Sequence, residues 1–174
     1  AEPSTVGQEE GALEVLGAEL AALGFELERL PIPEDVHQLP GAGVPSRSYA
    51  GRYDLVARRD GGPARPHLLL NGHIDVVPAD EPRMWSSPPF EALREDGWMR
   101  GRGAGDMKCG FAMGALALRA LRDVVPDESL PRLTLVAAIE EECTGNGTLA
   151  STHAGVLADA ALLLEPTDLS VLLG

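Results

Sequence analysis

Three apolar runs in this chain end abruptly in side chains that are costly to bury. They are residues 67–75 (HLLLNGHID), 133–142 (LTLVAAIEEE) and 160–167 (AALLLEPT). Short apolar runs bounded by turn residues predict buried strands. A neutral polar group buried without a partner costs on the order of 2–7 kcal/mol. The polar ends must therefore satisfy one another, or hold something between them.

The rest of the chain supplies elements to pack around these strands. Residues 8–24 place Leu13, Leu16, Leu20 and Leu23 at helical spacing, with Gly24 as a C-cap. FELERLPI (25–32) and RYDLVARR (52–59) predict strands, separated by a Pro- and Gly-bearing surface loop. ALREDGWMRGR predicts a hairpin around Asp96-Gly97. Residues 106–121 carry apolar side chains on most faces and predict a largely buried helix. NGTLASTHAGVL predicts a short helix, and LSVLL (169–173) a further strand. Strands alternating with helices predict an α/β fold, with a mostly parallel twisted sheet flanked by helices. In such sheets a site forms outside the carboxyl ends of the strands.

Composition narrows the partners. The 174 residues suffice for one domain with a real core. A formal net charge of −13 repels phosphate backbones, which argues against nucleic acid. No apolar run approaches the roughly 20 residues of a membrane helix, which argues against a membrane partner. The acidic start AEPSTVGQEE lacks a signal pattern, and two cysteines form neither CxxC nor a disulfide framework. Both features point to a cytoplasmic protein.

Taken singly, each polar strand end has a blander explanation. A strand-end histidine is most often a hydrogen-bonded structural residue, EEE a solvated loop and EPT a turn. GRGAGD just before a helix suggests a phosphate cradle, but its spacing is GxGxG rather than GxGxxG. Together, however, His73, Asp75, Glu140, Glu141, Glu142 and Glu165 fall at one position in the fold, with Asp106 nearby. So many carboxylates resist ionisation unless a cation joins them. Histidine plus carboxylates, without cysteine, suits zinc or another hard-to-borderline divalent metal. Cys109 and Cys143 read as small apolar fillers rather than ligands.

The ordered set GHIDVVP (72–78), W-x-x-x-P-F (Trp85 to Phe90), GRGAGDMK-x-G (101–110), EEE-x-x-G-N-G-T (140–148) and EPT (165–167) resembles the zinc aminoacylase/carboxypeptidase family. That family includes acetylornithine deacetylase, succinyl-diaminopimelate desuccinylase, glutamate carboxypeptidase and aminoacylase. The resemblance implies a metal-dependent hydrolase that cleaves the amide of an N-acyl amino acid or small peptide. It implies two divalent ions, zinc first, with cobalt or manganese as alternatives. His73 and Glu165 would bind one ion, Glu142 the other, and Asp106 both. Asp75 would fix the His73 imidazole, and Glu141 would be the general base for a metal-activated water. Glu140 would be solvated or supporting. The peptide after the bridging Asp106 would be cis.

The family's lid and dimerisation domain, and a further histidine ligand, have no counterpart in this sequence. Residues 1–174 are therefore expected to be the N-terminal portion of a catalytic domain, inactive alone, from a homodimeric parent. Two other readings remain: a non-catalytic metal-binding fragment, or a nucleotide-binding domain built on GRGAG.

Overall fold

The computed structural model describes residues 2–63, 65–80 and 82–167. The strand expected over 169–173 lies outside them. The first helix, α1, is Glu10–Ala22. It buries Leu13 and Leu20, and Leu23 just beyond its end is buried too. Gly24, at φ +84°, stops it. The Phe25 amide reaches back to the Leu20 carbonyl and the Gly24 amide to Ala21. This is the Schellman pairing, and Phe25 is buried in the same core as Leu20.

Five strands form the main sheet: β1 (Glu26–Pro31), β2 (Tyr53–Arg59), β3 (His67–His73), β6 (Arg132–Ala138) and β7 (Ala160–Leu163). β4 (Leu93–Glu95) and β5 (Trp98–Arg100) form the expected hairpin apart from it. The order across the sheet is β1-β2-β6-β3-β7. Pleat alternation sorts the central side chains. Leu55, Ala57, Leu133, Leu135 and Ala137 join a core with Leu20 of α1 and Phe111 of α2 (Lys108–Arg122). Val56, Val136 and Ala138 pack with Val156, which follows α3 (Asn146–His153).

The sheet is mixed rather than mostly parallel. β3 runs parallel to both β6 and β7, but β2 runs antiparallel to β1 and to β6. Length explains this. Only residues 60–66 join β2 to β3, and a parallel return needs about a dozen or more residues. β6 then inserts between those two strands. Nor is α2 largely buried. Gly110, Phe111 and Leu118 are buried against the sheet side, whereas Met113 and Leu116 are more than half exposed. Likewise β7 is an outer strand with exposed side chains.

Candidate metal centre

The parallel half of the sheet assembles the site. His73 of β3 pairs in register with Ala138 of β6, and the Ile74 amide extends the ladder to the Ala138 carbonyl at 2.8 Å. On the other side the Leu164 amide reaches the Asn71 carbonyl at 2.9 Å. The three strands thus deliver His73–Asp75, Glu140–Glu142 and Glu165 to one edge. Asp106 arrives from the turn before α2. That turn lies close over β3. A Cβ on Gly103 would stand 2.8 Å from Val76 Cγ1, and one on Gly72 would stand 2.6 Å from Met107 Sδ. The freed space admits the fully buried Met107, whose Sδ accepts the His73 amide at 3.0 Å. The Asp106–Met107 peptide is cis, as the motif implies.

His73 Nε2 faces three carboxylates. Asp106 Oδ1 lies at 3.1 Å, Glu141 Oε2 at 3.8 Å and Glu165 Oε2 at 3.9 Å. Ligand atoms of His73, Asp106 and Glu142 all lie within 4.8 Å of one another. The structure therefore brings every predicted ligand and the predicted base to one place. Nδ1 donates to the Asp75 backbone carbonyl at 2.9 Å, with the Asp75 carboxylate at 3.6 Å. Either acceptor keeps the proton on Nδ1 and leaves Nε2 for a ligand bond. The buried Asp75 carboxylate has a second task. It accepts the Glu141 amide at 3.1 Å and the Glu142 amide at 3.2 Å.

The electrostatics suit a cation. Burial opposes charge on His73, but Asp75, Asp106 and Glu165 outweigh it and raise its pKa to about 9. Glu142 is pushed up by burial and then by Asp106. Glu165 is pushed up by burial and then by Glu141, Asp106 and Glu142, against the attraction of His73. Among the described residues, His73 is the only cationic partner within 4.0 Å of Asp106, Glu141 or Glu165. Four carboxylates and one imidazole, all oxygen and nitrogen donors, form a set that fits hard-to-borderline divalent ions.

Of the two expectations for Glu140, solvated or supporting, the second fits: the residue is fully buried, and Arg52 Nη1 meets its carboxylate at 2.6 Å. Sequence reasoning missed its partner Arg52, and it missed further supports of the site. Lys108 Nζ donates to the buried Ser4 Oγ at 2.7 Å, and Ser4 Oγ donates to the Ile74 carbonyl at 2.7 Å. Burial lowers the Lys108 pKa to about 8. The lysine beside Asp106 in GDMK was the available signal. Arg102 lies over the Trp85 ring, 5.2 Å from its centroid, and its amide meets the Pro89 carbonyl at 2.7 Å. The W-x-x-x-P-F segment is thereby tied to GRGAGD. Cys109 is half-buried, its thiol donating to the Gly105 carbonyl at 2.9 Å. Cys143 is exposed and so fills no core. It sits on the outward turn after Glu142.

Comparison with known proteins follows the same pattern of motifs. Residues 69–172 match the profile of peptidase family M20/M25/M40. The chain belongs to this family. Within it, the chain is 34% identical over 170 residues to succinyl-diaminopimelate desuccinylase of Paracidovorax citrulli, covering 95% of this chain and 41% of that protein. It is 39% identical over 171 residues to the same enzyme of a Methylobacterium species, covering 95% and 40%. An M20 family metallo-carboxypeptidase from Sulfolobus solfataricus superposes with a TM-score of 0.70 at 20% identity, over 93% of this chain and 34% of that one. That superposition shows the M20 fold. The chain spans about two-fifths of the length of the curated relatives it matches. The reading of GRGAG as a nucleotide cradle gives way to the family assignment.

Proposed function

We propose that this chain is the metal-binding portion of an amide hydrolase acting on N-acyl amino acids or small peptides. The observation that carries the reading is His73 Nε2 facing three carboxylates that, among the described residues, have no other cationic partner within 4.0 Å. His73 and Glu165 would hold one divalent ion, Glu142 the other, and Asp106 would serve both, with zinc the first candidate and cobalt or manganese able to substitute. Bound ions polarise the substrate carbonyl and make water more acidic. Glu141 is half exposed at the rim, free of any Lys or Arg partner among the described residues, and accepts the proton of the attacking water. It returns that proton to the leaving amine nitrogen. Asp75 holds the Glu141 amide and so fixes where the base stands.

Names of relatives support the substrate class: desuccinylases release an acyl group from an amino acid. The test has two parts. The 174-residue chain is titrated with Zn2+, Co2+ and Mn2+, with two ions expected. A protein that joins it to the segments its relatives carry is assayed against N-acetyl and N-succinyl amino acids and dipeptides. Two bound ions without turnover on any of them would refute the hydrolase. The same titration separates this reading from that of a non-catalytic metal-binding piece. One tight ion and no turnover would support the latter.

A further inference from the structure

Glu140 has no part in the reaction proposed above, yet it is among the most elaborately held side chains in the molecule. It is a fully buried residue with φ +59°, in the left-handed region that non-glycine residues seldom occupy. Its carboxylate accepts from Arg52 Nη1 at 2.6 Å, Tyr49 Oη at 2.9 Å and Thr144 Oγ1 at 3.2 Å. Its carbonyl accepts the Thr144 amide at 3.1 Å and the Gly145 amide at 3.0 Å. The other arm of Arg52 reaches Glu9 Oε1 at 2.6 Å, at the start of α1. Tyr49 in turn accepts from Asn146 Nδ2 at 2.8 Å, and Asn146 is bonded in both directions to the Gly43 backbone.

A buried carboxylate–guanidinium–carboxylate triad is a poor device for stability alone. Well-packed apolar residues of similar volume often serve as well or better. What the triad does supply is direction. Glu140 is the last residue before Glu141 and Glu142, whose amides are held on the opposite side by Asp75. Those two residues are thus suspended between a carboxylate at the end of β3 and a guanidinium anchored on α1. Without the Arg52 contact, the buried Glu140 carboxylate loses its charged donor, and the backbone that leads into Glu141 and Glu142 loses that anchor.

We infer that Arg52, acting through Glu140, is a positioning residue that sets the placement of Glu141 and Glu142. Its consequence for metal rests on the function proposed above. Two variants test it: Arg52→Met, and the triple Glu9→Met, Arg52→Met, Glu140→Met. The triple variant removes all three buried charges together and keeps the test valid if the single variant unfolds. The first readout is amide hydrogen exchange in metal-free protein, which needs no metal reading. Protection at Glu141 and Glu142 is expected to fall at least tenfold relative to Leu135 and Val136 in β6. The second is Zn2+ affinity, expected to fall at least tenfold. A folded triple variant with both readouts within twofold of the parent overturns the inference. A parent chain that binds no metal refutes the metal centre, and the exchange result then decides the positioning role by itself.

Discussion

Glu140 and Glu141 are neighbours in the chain, yet the protein treats their charges in opposite ways. Glu140 lies in a floor beneath the site, with Asp54 and Asp75, where every carboxylate is fully buried and supplied with donors. Asp54 accepts the Ile139 amide at 2.9 Å and the Ser151 hydroxyl at 2.5 Å. Asp75 takes two amides, and Glu140 takes a guanidinium and two hydroxyls. Glu141 lies in a rim with Asp106, Glu142 and Glu165. The Asp106 side chain is 61% exposed and that of Glu141 48%, and among the described residues both share one imidazole as their cationic partner. The chain carries 14 Lys and Arg side chains, so the deficit above is not for want of cations. Arg52 serves the floor, and among the described residues no Lys or Arg lies within 4.0 Å of the rim carboxylates Asp106, Glu141 and Glu165. The contrast teaches where stability is built in and where a charge is left for something else to neutralise.

The contrast is broken most decisively at the base. Glu141→Gln in the longer enzyme should keep metal and lower turnover by about 10²-fold or more, the scale of general acid–base catalysis. Full rate in Glu141→Gln beside a dead Glu140→Gln would mean that floor and rim are assigned one residue out of step. Next comes metal content. Asp106→Ala should lose more metal than Glu142→Ala, because it touches both ions, and elemental analysis of the two proteins decides. Equal loss would remove the bridging role.

A third expectation concerns pH. The raised pKa of His73, about 9 in metal-free protein, means that a proton holds Nε2 where a metal ion must bind. Apparent metal affinity should therefore climb by about tenfold per pH unit up to that value and level off above it. The sign for the metal-free fold is opposite. Protonated His73 stabilises it fully below about 6.5, and that contribution is lost as pH rises through about 9. Calorimetric titration at several pH values, with and without Zn2+, reads both trends. The smallest effect tests repulsion at the rim. Glu165→Gln should leave the metal-free protein as stable or more stable, by no more than about 1 kcal/mol, since a charge one-third exposed is partly screened by solvent. In Zn2+ the same substitution should cost stability, because a ligand is gone. Thermal melts with and without metal would show the crossover, and parallel shifts would argue against it.

Much of this was legible in the sequence. Leucine spacing located α1, and apolar runs closed by turn residues located the strands. Because three of those runs ended in His73, Glu140–Glu142 and Glu165, the site's address could be read as well. What could not be read depends on which strand lies beside which. β6 pairs with both β2 and β3 across long stretches of chain, and no local pattern announces that. The burial of Glu140 follows from Arg52 and Tyr49, 88 and 91 residues earlier. The exposed side of α2 looked like core because its apolar content is high, while the sheet covers only one of its faces.

The position of β6 has a further consequence, for synthesis. It lies at the centre of the sheet but is among the last strands made. β3 ends at His73 and β6 begins at Arg132, 59 residues later. At roughly 5–20 residues per second, the ribosome takes on the order of 3–12 s to bridge that interval. During it, β2 and β3 each have a bare inner edge, with the apolar side chains Leu55, Val56, Ala57 and Leu70 waiting for partners. Unpaired central edges of this kind invite association with other chains. The nascent polypeptide is therefore most vulnerable just before its central strand emerges, and a translational pause within residues 74–131 would lengthen that exposure.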